Sequence, residues 1–258
     1  MPTRSTDPDD YQDVPRPVAA MPKDFPAGFT IAPHRHKRSQ LTFFVAGVMT
    51  VTTEAGMWVV PPQRAVWIPG GTEHSLRMVS PVAMRALYID PQTAPHLPRT
   101  ACVIDVSRLL RELILEAMNF PILYDEAGRE GRIIALILDE IRALPALPLH
   151  LPSPQDGRLV RLCDRLAADL ASERSLAAWS QAAGISPRNL ERLFRRETGM
   201  SFGAWRRQAR LLAALSRLAG GEPVTTIALD LGYDSPAAFT AMFRRHLGVA
   251  PSRYFAPL

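Results

Sequence analysis

Ile227-Ala228-Leu229-Asp230-Leu231-Gly232-Tyr233-Asp234-Ser235-Pro236, followed by Phe239, Met242, Phe243-Arg244-Arg245 and Gly248, is the stretch on which the reading of this chain turns. It spells helix, stop, helix. Gly232 can take the positive φ that ends a helix, Ser235 is an N-cap, and Pro236 presets the first residue of the next helix. Ala228, four residues before the glycine, is small enough to let paired helices approach closely. The same grammar occurs once more upstream, with one residue fewer at the turn: Trp179-Ser180-Gln181-Ala182-Ala183-Gly184-Ile185-Ser186-Pro187, running on to Leu190, Leu193, Phe194-Arg195-Arg196 and Gly199. One glycine-broken helix pair need not bind nucleic acid. Two arginine-bearing copies point to a double helix-turn-helix.

The surrounding charge agrees. From Gly157 to the end the chain has fifteen arginines, no lysine and eight acids, whereas the preceding part has fifteen bases and seventeen acids. The whole basic excess therefore sits around the repeats, and arginine's planar fork suits phosphates and guanine edges. The two parts meet at the proline-rich stretch Leu144 to Pro154, which reads as a linker. A length of 258 residues accommodates two ordinary domains, and 47% hydrophobic with 21% charged residues excludes wholesale disorder and collagen-like repeats. No apolar run approaches the length of a membrane helix, and Met1 to Met21 is polar, acidic and proline-containing, unlike a signal peptide. With only Cys102 and Cys163, in different parts of the chain, a reducing compartment is expected, hence a cytoplasmic protein with no membrane partner.

Helical periodicity assigns roles within the copies. On the helix from Pro187, Leu190, Leu193, Phe194 and Glu197 share an inner face, while Arg188, Glu191, Arg192 and Arg195 share the outer one. Arg188 and Arg192 suit guanine, Glu191 suits cytosine, and Asn189 suits adenine if angled inward. The second copy offers Ala237, Thr240, Ala241 and Arg244, a plainer reader limited to a hydroxyl, methyl groups and one charge. Arg195, Arg196, Arg244 and Arg245 are expected on phosphates, setting register rather than reading sequence. Between the copies, Ser201 to Leu218 predicts one long helix, with Arg206, Arg207 and Arg210 exposed and Leu211, Leu212 and Leu215 buried. Such a helix can hold two recognition helices about 34 Å apart, one turn of DNA.

Over Arg158 to Phe255 these motifs resemble the AraC/XylS regulators, above all through Ile227-Ala228, Gly232-Tyr233-Asp234-Ser235-Pro236, Phe243-Arg244-Arg245 and Gly248-Val249-Ala250-Pro251-Ser252-Arg253-Tyr254. The resemblance implies a double-stranded DNA partner and transcription control. Trp179-Ser180 departs from the family's smaller aliphatic residue and alanine, and Ala241 stands where relatives often carry a polar or basic side chain.

The N-terminal part alternates short apolar segments, Leu41 to Ala46, Val48 to Thr53 and Ala65 to Ile68, between glycine and proline turns, and reads as strands. From Pro22 to Asp90, Gly28, His34-Arg35-His36, Gln40, Gly47 and Pro69-Gly70-Gly71-Thr72-Glu73-His74 are spaced as in cupin barrels. His34 and His36, two apart on a strand, would face the same way, with Gln40 and His74 completing a site. Three imidazoles and an amide oxygen suit a divalent transition metal, although the cupin pattern usually has glutamate at the Gln40 position. Two readings stay open: a metal site, or histidines that line a metal-free effector pocket or are exposed by strand-end geometry. Phe43, Trp58 and Trp67 are candidates for a small-molecule cavity or for barrel core. Val106 to Asn119 and Tyr124 to Leu144 predict two helices, which pack on their own barrel or, as in relatives, form a homodimer contact.

The fold class expected is an α+β multidomain chain, a cupin-like β-barrel with a helical hairpin followed by an all-α double helix-turn-helix domain. Its divisions are a flexible tail (1–21), an effector-sensing barrel (22–100), a helical dimerisation or connector segment (101–144), a linker (145–157) and the DNA-binding domain (158–258). The function expected is sequence-specific transcription regulation controlled by a small-molecule effector or metal in the barrel, and not an enzyme. The competing class is a metal-dependent cupin enzyme fused to a DNA-binding domain, with His34, His36, Gln40 and His74 as its metal site.

Overall fold

The computed structural model describes residues 5–62, 64–93, 95–141 and 149–255. The chain divides into two compact units, Met1–Thr53 with Val60–Leu147, and Glu54–Val59 with Pro148–Leu258. No described helix is long and apolar enough to cross a membrane.

In the first unit, strands β1 (Val18–Phe25), β2 (Thr30–His34), β3 (Ser39–Ala46) and β4 (Met49–Thr53) are followed by β5 (Gly56–Val60), most of which belongs to the second unit. Then come β6 (Arg64–Ile68), β7 (His74–Met78), β8 (Val82–Ile89), β9 (Cys102–Asp105), α1 (Arg108–Ala117) and α2 (Arg129–Glu140). The segments expected as strands fall on β3, β4 and β6. One antiparallel sheet runs β1-β8-β3-β6-β9, and β4-β7-β2 form a second. Strand β3 is buried on both faces, which explains its nearly continuous apolar run. Leu41 and Phe43 join Trp67, Leu87 and Ile89 in one cluster with Leu110, Ile114, Ile134, Ile137 and Ile141. By strand alternation Gln40, Thr42 and Phe44 face the other way, into the barrel.

The two expected helices are present but shorter. The Ser107 hydroxyl accepts from the Leu110 amide at 3.0 Å and fixes the start of α1. Asp125 folds the chain into a turn before α2, accepting from the Ala127 amide through its side chain and the Gly131 amide through its carbonyl. Of the two packings considered for these helices, burial against their own sheet is observed, with Leu109, Leu123 and Leu136 left exposed.

Residues 8–21, part of the segment read as a flexible tail, contribute a 3-10 turn at Pro8–Tyr11 and half of β1. Buried Arg38 donates to the carbonyls of Gln12, Val14 and Arg16, and Tyr11 is fully buried against Tyr88. The anchors are distant main-chain acceptors, invisible to local pattern.

The second unit begins with β10 (His150–Pro152), antiparallel to β5 with Leu151 opposite Met57. Residues 142–148, the end of the second expected helix and the start of the linker, lie outside the described residues; the rest of the linker is thus partly a paired strand. Among the described residues seven helices follow: α3 (Gly157–Ala168), α4 (Leu176–Ala182), α5 (Pro187–Thr198), α6 (Phe202–Ala219), α7 (Val224–Asp230), α8 (Pro236–Leu247) and α9 (Pro251–Tyr254). Leu211, Leu212 and Leu215 of α6 are buried as expected. Trp205 Nε1 donates to the Pro152 carbonyl at 2.8 Å and Gln208 Nε2 to the His150 carbonyl at 3.2 Å, fixing β10 along α6.

Candidate nucleic-acid interface and histidine cluster

Both helix pairs turn by the same main-chain device. At the first, the Gly184 amide donates to Gln181 and the Ile185 amide to Ser180; at the second, Gly232 donates to Leu229 and Tyr233 to Ala228. Each glycine is left-handed, at φ +67° and +74°, so the final carbonyls of α4 and α7 are satisfied within the turn. At Gly232 a Cβ would lie 2.8 Å from the Ala171 carbonyl oxygen, whereas at Gly184 it would meet open space. Ser180, the departure from alanine, is buried and its hydroxyl donates back to the Ala177 carbonyl at 2.8 Å, so the close packing survives.

The serines cap as expected, Ser186 accepting from the Asn189 amide at 3.4 Å and Ser235 from the Ala238 amide at 3.2 Å. Leu190, Leu193 and Phe194 are buried, and Glu197 does face inward. Its carboxylate accepts from the Asp156 and Gln155 amides at 2.8 and 3.0 Å, which, together with Arg196, holds its pKa below the usual range. Glu197 thereby supports the start of α3, a role missed at the sequence level because its partners are main-chain amides about forty residues away.

Arg188, Arg192 and Arg195 are exposed, and Asn189 and Glu191 half-buried. Arg192 Nη2 donates to Asn189 Oδ1 at 2.8 Å, and Arg195 stands 3.9 Å from Glu191. The outer face of α5 thus carries two side-chain pairs, Arg192–Asn189 and Arg195–Glu191, beside the exposed Arg188. Ala237 and Ala241 are exposed on α8 and Thr240 half-buried, with Arg244 and Arg245 exposed and without an ion pair among the described residues. Arg196 instead bonds Glu197 at 2.7 Å. Of the α6 arginines expected at the surface, only Arg207 is fully exposed. Arg206 donates to the Ser172 carbonyl and Arg210 to the Leu170 carbonyl, lying over the Phe202 and Tyr233 rings. The loop after α3 consumes these two charges.

In the first unit, β2 and β7 pair with His34 directly opposite His74, and the turn that follows β2 brings in His36. The Gly71 amide bonds the His36 carbonyl, and a Cβ on Gly70 would lie 2.4 Å from the Lys37 carbonyl, which explains the Gly70-Gly71 pair. Ring centroids of His34, His36 and His74 lie 4.3 to 5.3 Å apart, and one ring nitrogen from each falls within 4.8 Å of the others. The sequence placed His34 and His36 on one strand; the structure ends β2 at His34, so His36 reaches the cluster from the turn.

His34 and His74 turn Nδ1 toward the Ala32 and Thr72 carbonyls, at 2.8 and 3.0 Å, leaving Nε2 as the outward nitrogen. His74 Nε2, both ring nitrogens of His36 and Gln40 Oε1 are buried without a partner. Burial, followed by the charges of neighbouring histidines, lowers His36 to about 4, and burial chiefly lowers His74 to about 4, so both rings are neutral near pH 7 with lone pairs available. Gln40 is held by Tyr88, at 3.5 Å, whose ring stands edge-on to His36. Tyr88 was missed, though β3–β8 register pairs it with Gln40. Metal–nitrogen bonds of about 2.0–2.1 Å require nitrogens roughly 3 Å apart, so a small contraction would let this donor set hold a divalent transition metal. Trp58 stacks on His150 in the second unit and Phe43 and Trp67 lie in the helix-facing cluster, so none of the three candidate aromatics lines the histidines.

Comparison with known proteins gives two family matches, a helix-turn-helix domain over residues 179–256 and a cupin domain over residues 23–90. The HTH-type transcriptional regulator NimR of Escherichia coli K12 is 39% identical over 225 residues, covering 87% of this chain and 82% of that protein. The arabinose operon regulatory protein of the same organism is 30% identical over 138 residues, half of this chain and 46% of its own length. Among solved structures, ToxT from Vibrio cholerae aligns over 93% of this chain and 98% of its own at 12% identity, with a TM-score of 0.40.

Proposed function

Because the chain belongs to the AraC/XylS family of transcription regulators and carries a cupin domain ahead of its helix-turn-helix domain, we propose that it is a sequence-specific regulator whose DNA affinity is set by a ligand in the barrel. The observation that carries this reading is the pair of identically capped recognition helices joined by α6, each presenting exposed arginines. Arg188, Asn189, Glu191 and Arg192 read bases in one major groove. Ala237 and Thr240 make a weaker reading in the next, and Arg195, Arg196, Arg244 and Arg245 hold phosphates. The Arg192–Asn189 bond preorganises that pair for a guanine beside an adenine.

His34, His36, His74 and Gln40 form the barrel site, which takes a divalent transition metal or the polar group of a small effector; a bound cation would supply positive charge to an anionic effector. The unpartnered buried nitrogens support this assignment. Ligand binding shifts the population between DNA-competent and incompetent states. The divisions proposed are a sensing barrel to residue 100, a helical connector over 101–144 and a DNA-binding domain over 158–258. The chain acts in the cytoplasm as a homodimer, its exposed Leu109 and Leu136 on α1 and α2 meeting a second copy and placing two DNA-binding domains on repeated half-sites. The enzyme reading is set aside because the relative matched over 87% of the chain is a regulator.

The test is selection of duplexes from a random pool at stated salt. Enrichment of a motif with two boxes about one turn apart supports the assignment; folded protein that enriches none, with and without added metal, overturns it. For the barrel, titration with zinc or manganese should register binding to the parent chain and a loss of at least about tenfold in His74→Ala; equal affinity in the variant removes the cluster from the proposal.

A further inference from the structure

The sheet β1-β8-β3-β6-β9 has a second face, and at its rim the loop after β8 covers a cleft of about 300 Å³, within the range of small-molecule sites. Ser39, Trp67 and Ile89 form its floor. They share strand parity with Leu41 and Leu87, opposite to Gln40, so the sheet itself separates this cleft from the histidines. The loop supplies Leu97, a wall of prolines including Pro91, Pro95 and Pro98, and two charged residues, Asp90 and Arg99.

Each polar group but one is already used. Trp67 Nε1 donates to the Pro98 carbonyl at 2.7 Å, which pins the indole to the loop. Ser39 Oγ accepts from the Gly70 amide at 3.0 Å. Asp90 accepts from the Gln92 amide at 2.9 Å, and its charge acts on the buried guanidinium of Arg38. Arg99 is exposed and makes no ion pair among the described residues. What is left over is the wall of prolines and one unmatched cation.

We propose that this cleft binds a small aromatic carboxylate, its ring lying on the proline wall beside the pinned Trp67 and its carboxylate on Arg99. The ligand reaches the same apolar cluster that holds α1 and α2, because Trp67, Ile89 and Leu97 belong to it with Leu110, Ile137 and Ile141. Filling the cleft therefore repacks the connector helices. This consequence, though not the binding itself, rests on the effector-responsive reading above.

The test is calorimetric titration of the full chain with benzoate and indole-3-acetate, beside benzamide and benzylamine as uncharged and cationic controls. The acids are expected to bind and the controls not to, with Arg99→Ala weakening the acids at least about tenfold, since the lost contact is a charge-assisted pair. Arg99 is exposed, so its variant should keep the parent melting temperature, and His74→Ala should leave acid binding within about twofold of the parent, a margin well below the tenfold loss sought. Absence of binding by both acids at millimolar concentration, equal binding of benzylamine, or loss in His74→Ala rather than Arg99→Ala would overturn the proposal. The titration contains no DNA, so its failure is distinct from failure of the duplex selection.

Discussion

The second helices of the two helix-turn-helix units are built alike and present different outer faces. α5 and α8 each span twelve residues, start at a capping serine followed by proline, and stop at a left-handed glycine; α5 buries Leu190, Leu193 and Phe194 where α8 buries Phe239 and Phe243. Their outer faces share only the trailing arginine pair. α5 carries several charged and amide groups where α8 carries alanines and one threonine. The residues that make a helix-turn-helix repeat closely between the two copies, while the outward-facing residues proposed to read bases differ. The buried face that builds the fold and the outer face proposed to set specificity lie on opposite sides of the same helix, so one can vary without disturbing the other.

The largest effect tests the shared half of this comparison. Phe194→Ala and Phe243→Ala each remove a fully buried ring, and each should cost about 3–5 kcal/mol in denaturant unfolding; a loss at one site only would show that the two copies are not equivalent in construction. The reading faces should then separate. Arg192→Ala is expected to weaken the selected site by about 1–3 kcal/mol, roughly ten- to a hundredfold, while leaving mismatched duplexes near their parent affinity. Thr240→Ala should cost about 1 kcal/mol at most, the scale of one neutral hydrogen bond. Equal penalties on matched and mismatched DNA for Arg192→Ala would remove its reading role. The caps return to symmetry, with Ser186→Ala and Ser235→Ala each destabilising by about 1 kcal/mol, compared through thermal midpoints. Smallest is Arg244→Ala, which should weaken all sequences alike and reduce the slope of log affinity against log salt by about 1; an unchanged slope would take Arg244 off the phosphates.

The C-terminal domain was legible because its information is local. Glycine, serine and proline at fixed offsets decide where each helix stops and starts within a few residues of chain, and the apolar residues between them fix which face is buried. The same logic found the strands around Leu41, Val51 and Val66. It failed where a side chain's partner is a distant main-chain group. Arg206 and Arg210 look like surface cations in sequence, yet the carbonyls of Ser172 and Leu170 take them. Arg38 anchors the segment read as a loose tail, and Pro152 belongs to a strand rather than a free linker. Main-chain carbonyls carry no residue-type signature, so no pattern of side chains announces them.

The histidines divide the same way. Their identity and the Gly70-Gly71 turn pointed to one site, but strand parity alone placed His34 and His36 together for a reason the structure does not use, since His36 lies beyond the end of β2. Two-residue periodicity holds only while the strand lasts. The sequence by itself determined the family, the double helix-turn-helix and the contrast between a chemically rich and a plain outer face, because these follow from residue type and short-range spacing. Only the tertiary structure decided which arginines remain free, which nitrogens converge without partners, and that a cleft floored by Trp67 opens on the sheet face away from the histidines. Those features depend on how segments far apart in sequence are brought into register.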